Sequence, residues 1–170
     1  FKQIKDIEIS HSVSKIAGVF DGNNYSLSYF LDSGIYSYVF SGMAGYTEFK
    51  NINLIMGKIG ISLLNIADWG TSYGVTFENI TFNSTESMTT VNANNFGFAV
   101  INALYTTGEG KAIYTFKNIT NNVNLQNEGT CTGFLVGSGP CFNAQAEMYY
   151  INCVNNGIIS GTSSVGFLYG

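Results

Sequence analysis

An aromatic residue, one variable residue, an asparagine and an apolar residue recur four times, as Phe49-Lys50-Asn51-Ile52, Phe77-Glu78-Asn79-Ile80, Phe116-Lys117-Asn118-Ile119 and Tyr150-Ile151-Asn152-Cys153. A phrase that returns every 28 to 39 residues or so is the mark of a chain that winds and stacks, because one such unit alone cannot bury its apolar face. The repeat therefore predicts a solenoid.

Alternation inside the phrases favours strands over helices, since apolar residues mostly take every second place in Phe49-Lys50-Asn51-Ile52-Asn53-Leu54. Shorter apolar runs bounded by glycine lie between them, such as Phe96-Gly97-Phe98-Ala99-Val100 and Gly133-Phe134-Leu135-Val136-Gly137, and supply strand-turn-strand punctuation. The segment Phe20-Asp21-Gly22-Asn23-Asn24-Tyr25 reads as the corner of an early coil. The apolar stretch from Ile59 to Ala67 fits a buried strand, so almost no helix is expected.

Stacking at about 4.8 Å would place equivalent residues in ladders. Phe49, Phe77, Phe116 and Tyr150 form the expected inward aromatic row, and Ile52, Ile80, Ile119 and Cys153 an aliphatic row beside it. Asn51, Asn79, Asn118 and Asn152 are expected at one inward corner, bonded to the backbone of the next coil. Lys50, Glu78 and Lys117 would point outward with alternating sign. The fold class expected is an all-β parallel β-helix (solenoid) of about five to six coils, one domain over residues 1–170.

Composition narrows the function classes. The chain has seven Lys, no Arg and one His, with a net charge of −4, which leaves little with which to neutralise a phosphate backbone, so nucleic acid is not an expected partner. No apolar run reaches the length of a membrane span. The start at Phe1, without a signal-peptide layout, suggests a processed piece of a longer repetitive protein. Charged residues are only 11% of the chain, so polarity must come from Ser, Thr, Gly and 20 Asn.

Candidate chemistry is sparse. The carboxylates are scattered, and Glu48 and Glu78, near equivalent repeat positions, are the nearest approach to the convergent pair a glycosidase requires. His11 has no neighbouring ligand set, so no metal, cofactor or catalytic residue is expected. Cys131 and Cys141 flank a glycine-rich turn at a separation that suits either a disulfide loop or two free thiols. Four Asn-x-Ser/Thr sequons occur. Asn79 and Asn118 belong to the expected inward ladder, where a glycan has no room, which leaves Asn83 and Asn24 as acceptors. Outward aromatics with polar neighbours could stack on sugars, and Tyr36, Tyr38, Trp69 and Tyr73 are the candidates.

Tyr150-Ile151-Asn152-Cys153, running through Gly157-Ile158-Ile159-Ser160-Gly161 to Val165-Gly166-Phe167-Leu168-Tyr169-Gly170, resembles the GLUG-type repeat. Phe20-Asp21-Gly22-Asn23-Asn24-Tyr25-Ser26-Leu27-Ser28 is similar to the segment that often precedes such repeats. The resemblance implies a right-handed parallel β-helix within a large, repetitive, secreted or cell-surface, adhesin-like protein, with no catalytic residues to carry over. Thr132-Gly133-Phe134 departs from the usual double glycine. The function expected is a non-catalytic structural or adhesive rod segment, with flanking coils or end-to-end stacking as partners. The alternative is a carbohydrate-binding or carbohydrate-active β-helix.

Overall fold

A computed structural model describes residues 1–30, 37–66, 73–102, 112–138 and 146–167. They are β-strand and connection, with no helix among the described residues, and no helix long and apolar enough to cross a membrane. In chain order the strands are β1 (Ile7–Ile9), β2 (Ile16–Asp21), β3 (Ser26–Tyr29), β4 (Ser37–Met56), β5 (Ile61–Ile66), β6 (Tyr73–Ser84), β7 (Thr89–Val91), β8 (Asn95–Gly97) and β9 (Val100–Asn102). They continue with β10 (Ala112–Asn121), β11 (Leu125–Asn127), β12 (Cys131–Gly133), β13 (Val136–Ser138), β14 (Ala146–Ile151), β15 (Val154–Asn155), β16 (Ile159–Gly161) and β17 (Val165–Gly166).

Every pairing between these strands is parallel. The large sheet is 11-stranded and curled, with the order β13-β9-β5-β4-β6-β10-β14 along its main path. Two three-stranded sheets, β16-β11-β7 and β17-β12-β8, complete the described structure. The long strand β4 links two parts of the large sheet: its first residues pair with β5, and its later ones with β2, β3 and β6. The chain returns in successive passes to one part of the large sheet, through β2, the later part of β4, β6, β10 and β14.

The repeated phrase has a backbone cause. Asn51, Asn79, Asn118 and Asn152 all lie in the left-handed region, at φ 54°, 54°, 54° and 52°. Asparagine visits that region at little cost, whereas most side chains meet the following carbonyl. One left-handed residue turns the strand and shifts its in-out alternation by one place. Phe116 is therefore buried, Lys117 and Asn118 face outward, and Ile119 is buried again. Both strands make this turn at the same place, so the register runs from Lys50–Glu78 to Ile52–Ile80 without a shift.

Inside that corner the rings stack. Centroids lie 5.4 Å apart for Phe49–Phe77, 5.2 Å for Phe77–Phe116 and 5.3 Å for Phe116–Tyr150, with interplanar angles of 15°, 1° and 7°. The row also extends towards the N-terminus: Phe1 stacks on Phe20 at 5.3 Å, and Phe40 from β4 wedges between Phe20 and Phe49. Burying each such ring contributes about 1.5–3 kcal/mol, and each ring pair about 0.5–1.5 kcal/mol more. Ile52, Ile80 and Ile119 are buried beside them, and Cys153 packs half-buried against the core.

On a second corner the chain needs glycine. Gly97, Gly133 and Gly166 pair in one row, and a Cβ on Gly97 would sit 2.4 Å from the backbone nitrogen of Gly137. The backbones around Gly97 and Gly137 approach too closely for a side chain at either.

Candidate functional site

Two rows of side-chain amides run across the passes. In the first, Asn79 Nδ2 donates to Asn51 Oδ1 at 3.0 Å, Asn118 Nδ2 to Asn79 Oδ1 at 2.8 Å, and Asn152 Nδ2 to Asn118 Oδ1 at 3.2 Å. Its partners lie 28, 39 and 34 residues apart in the chain. The sequence expectation of an inward corner bonded to backbone is corrected here: the amides bond one another, and Asn79, Asn118 and Asn152 are exposed. Exposure follows from the left-handed turn, which carries the side chain out along the corner.

The row has a fixed direction. Asn51 Nδ2 donates to Asp21 Oδ1 at 3.0 Å, and the same carboxylate oxygen accepts Asn23 N–H at 2.9 Å. An ionised carboxylate only accepts, so Asn51 must turn its amide nitrogen to Asp21 and its oxygen to Asn79. Each later amide follows suit. Asp21 is held below the usual aspartate range, first by the Asn51 amide and then by the Asn23 N–H, with Lys50 and Lys2 adding to the effect against some desolvation.

A second amide row escaped the sequence reading. Asn53 Nδ2 donates to Ser26 Oγ at 3.0 Å, Asn83 Nδ2 to Asn53 Oδ1 at 2.7 Å, Asn122 Nδ2 to Asn83 Oδ1 at 2.9 Å, and Asn156 Nδ2 to Asn122 Oδ1 at 2.9 Å. Asn83, expected to be available for a glycan, is half-buried and spends its amide nitrogen in this row. Asn79 and Asn118 are committed in the same way, by hydrogen bonding rather than burial. Asn24 is exposed, in a left-handed turn. The buried amides are satisfied too: Asn121 bonds both polar groups of Val123, and Asn127 bonds both those of Ala93.

The outer face carries ion pairs at short range. Lys117 Nζ lies 2.6 Å from Glu78 across passes, while Lys50 Nζ pairs with Glu48 on its own strand at 3.1 Å. Glu48 is in register with Thr76, and Glu78 with Lys50, so the two glutamates do not occupy equivalent positions. Each has a lysine partner, which leaves no convergent acid pair at this place. No group of three or more His, Cys, Asp or Glu that could hold a metal occurs among the described residues. His11 is exposed, with Nδ1 2.9 Å from Ser10 Oγ.

Of the aromatics expected to meet sugars, Trp69 and Tyr36 lie outside the described residues. Tyr38 is half-buried, and Tyr73 opens β6. Among the exposed aromatics that sequence reasoning missed is Tyr46, 56% exposed, whose ring lies over Gly74 of the next pass. Ile113 and Tyr149 are exposed on passes beyond it. Cys131 carries a free, half-buried thiol, and Cys141 lies outside the described residues. The Cys153 thiol is pushed up by burial and lies near the carbonyls of Phe116 and Ile151.

Phe167 is 55% exposed and lies tilted at 55° against fully buried Phe134, and Val165, 47% exposed, pairs with buried Thr132. No family model matches the chain, and no curated protein or solved structure matches it significantly.

Proposed function

We propose that this chain is a right-handed parallel β-helix of five to six coils, akin to GLUG-type repeats, that serves as a non-catalytic rod segment of a secreted or cell-surface protein. The observation that carries the reading is the pair of amide rows. They use the distinctive asparagines for coil-to-coil cohesion, at about 0.5–1.5 kcal/mol per bond, and leave few polar groups for chemistry. Winding with the usual crossover sense makes the helix right-handed. Such a segment acts by geometry, spacing or joining what lies at its two ends.

A carbohydrate-binding role is the second reading, favoured by Tyr46 lying exposed over Gly74 with Ile113 and Tyr149 nearby on the same outer face. A reducing-end assay over neutral and acidic polysaccharides, with a glycan array beside it, separates the two. The rod reading expects no released ends and no retained sugar. Released ends would overturn it, and sugar retention abolished by Tyr46→Ala would replace it with the second reading.

A further inference from the structure

We infer that Asn156 is a site of spontaneous deamidation, in which the Gly157 backbone nitrogen displaces the side-chain amide, and that the reaction releases the bond from Asn156 to Asn122 in the second amide row. Asn156-Gly157 is the chain's one Asn-Gly pair. The stack requires both halves of it. Asn156 Nδ2 donates to Asn122 Oδ1 at 2.9 Å, and a Cβ on Gly157 would overlap the Val123 carbonyl of the pass before. A glycine after asparagine leaves the attacking nitrogen unshielded, with backbone dihedrals free to bring it onto the side-chain carbon.

The pass before supplies an internal control in Asn122-Val123. Val123 N–H donates to Asn121 Oδ1 at 3.0 Å, which keeps its proton engaged, and its β-branched side chain crowds the approach. Asn155 pairs with Asn121, but its Oδ1 accepts Asn121 Nδ2 at 2.7 Å and its Nδ2 donates to Gly157 O at 2.8 Å. Gly157 lies between β15 and β16, and among the described residues no acceptor takes its N–H. Val123 bonds within its own pass although it has a pass on either side, and Asn122 is exposed there as Asn156 is. The exposure and the difference at the nitrogen thus belong to the corner, whatever follows β17.

Asp21-Gly22 shows the same demand for glycine in a protected form. Gly22 N–H donates to Lys50 O at 2.8 Å, and the Asn51 amide and Asn23 N–H hold Asp21 as a carboxylate, which resists attack.

Water alone balances the reaction. Gly157 nitrogen gives its proton to solvent base and bonds to Asn156 Cγ, the Cγ–Nδ2 bond breaks, and Nδ2 leaves as ammonia. Water then opens the cyclic imide at either carbonyl, leaving aspartate or isoaspartate at position 156. Either product turns only acceptor oxygens to Asn122 Oδ1, so the bond across passes is lost and one negative charge is added to the net −4. Isoaspartate also inserts a backbone carbon between β15 and β16.

The test incubates the whole protein at neutral and mildly alkaline pH and maps its peptides by mass spectrometry, beside a urea-unfolded sample. In the folded protein the peptide holding Asn156 should gain one mass unit at least about tenfold faster than any other described asparagine. Conversion should quicken with pH, because the attacking nitrogen must lose its proton, and isoaspartate should be among the products. Conversion in urea but not in the folded protein overturns the inference, since the fold would then shield the pair. So does a product free of isoaspartate, which marks direct hydrolysis without the cyclic imide. The Asn156→Asp variant carries one product from the start and should melt below the parent; an equal melt overturns the release of the bond.

Discussion

The two amide rows make the same bond on two different backbones. Asn51, Asn79, Asn118 and Asn152 sit in the left-handed region, while Asn53, Asn83, Asn122 and Asn156 are not among the left-handed residues. The first position asks two things of its side chain, a tolerated positive φ and an amide that both donates and accepts, and only asparagine supplies both. The second asks only for the bond. It is accordingly looser: Asn83 is in register with Ile55 and reaches diagonally to Asn53.

Replacing Asn118 and Asn122 by Ala in separate variants breaks the comparison open. Asn118→Ala loses two bonds, to Asn79 and from Asn152, and forces a Cβ-bearing residue without a compensating amide into φ 54°, a cost of about 2–4 kcal/mol in all. Asn122→Ala loses its two bonds alone, to Asn83 and from Asn156, about 1–2 kcal/mol. Urea titration of both variants measures the gap directly. Equal losses would mean that the left-handed corner contributes nothing of its own.

Asn118→Gly sharpens the same point. Glycine accepts the positive φ without strain and removes only the amide with its two bonds, so the loss should fall to about 1–2 kcal/mol and match Asn122→Ala. A glycine variant as unstable as the alanine one would shift the weight from backbone to bond.

That division also explains what the sequence made visible. The doubly constrained row repeats at a fixed place beside the aromatic, so Phe77-Glu78-Asn79-Ile80 and its copies stand out. The first two members of the aromatic stack were not legible because their corner residue differs: Gln3 follows Phe1 by two places, and Gly22 follows Phe20. Gly22 is glycine for lack of room, since a Cβ would sit 2.5 Å from the Asn51 carbonyl. The second amide row was hidden by its change of spacing, from two residues between Asn51 and Asn53 to four in each later pass. Tyr46 over Gly74 needs the register between passes, which no local pattern supplies. An Asn repeat alone also does not say whether an amide meets backbone or another amide. The carboxylate at Asp21 settles that for the first row.

The anchors of the two rows give the smallest and most selective test. The first row ends on a carboxylate and the second on the hydroxyl of Ser26, so only the first should respond to acid. Asp21 is held below its usual value of 3.8 in the folded protein, chiefly by the Asn51 amide. A depressed folded value means stability present above the unfolded value and lost as pH falls through the folded one, so the window lies below about pH 4. Protonation also lets Asp21 donate, which removes the acceptor-only rule that fixes the row's direction. Thermal melts between pH 5 and pH 2.5 should therefore fall further for the parent than for Asp21→Asn, whose side chain does not titrate. The remaining carboxylates lower both curves alike, so the difference between the two proteins is the quantity to read. The Ser26→Ala variant, which removes the second anchor, should keep the parent's acid slope while melting slightly lower at every pH. If Asp21→Asn and its parent lose stability in parallel, the carboxylate does not anchor the row, and the direction assigned to Asn152 loses its physical ground.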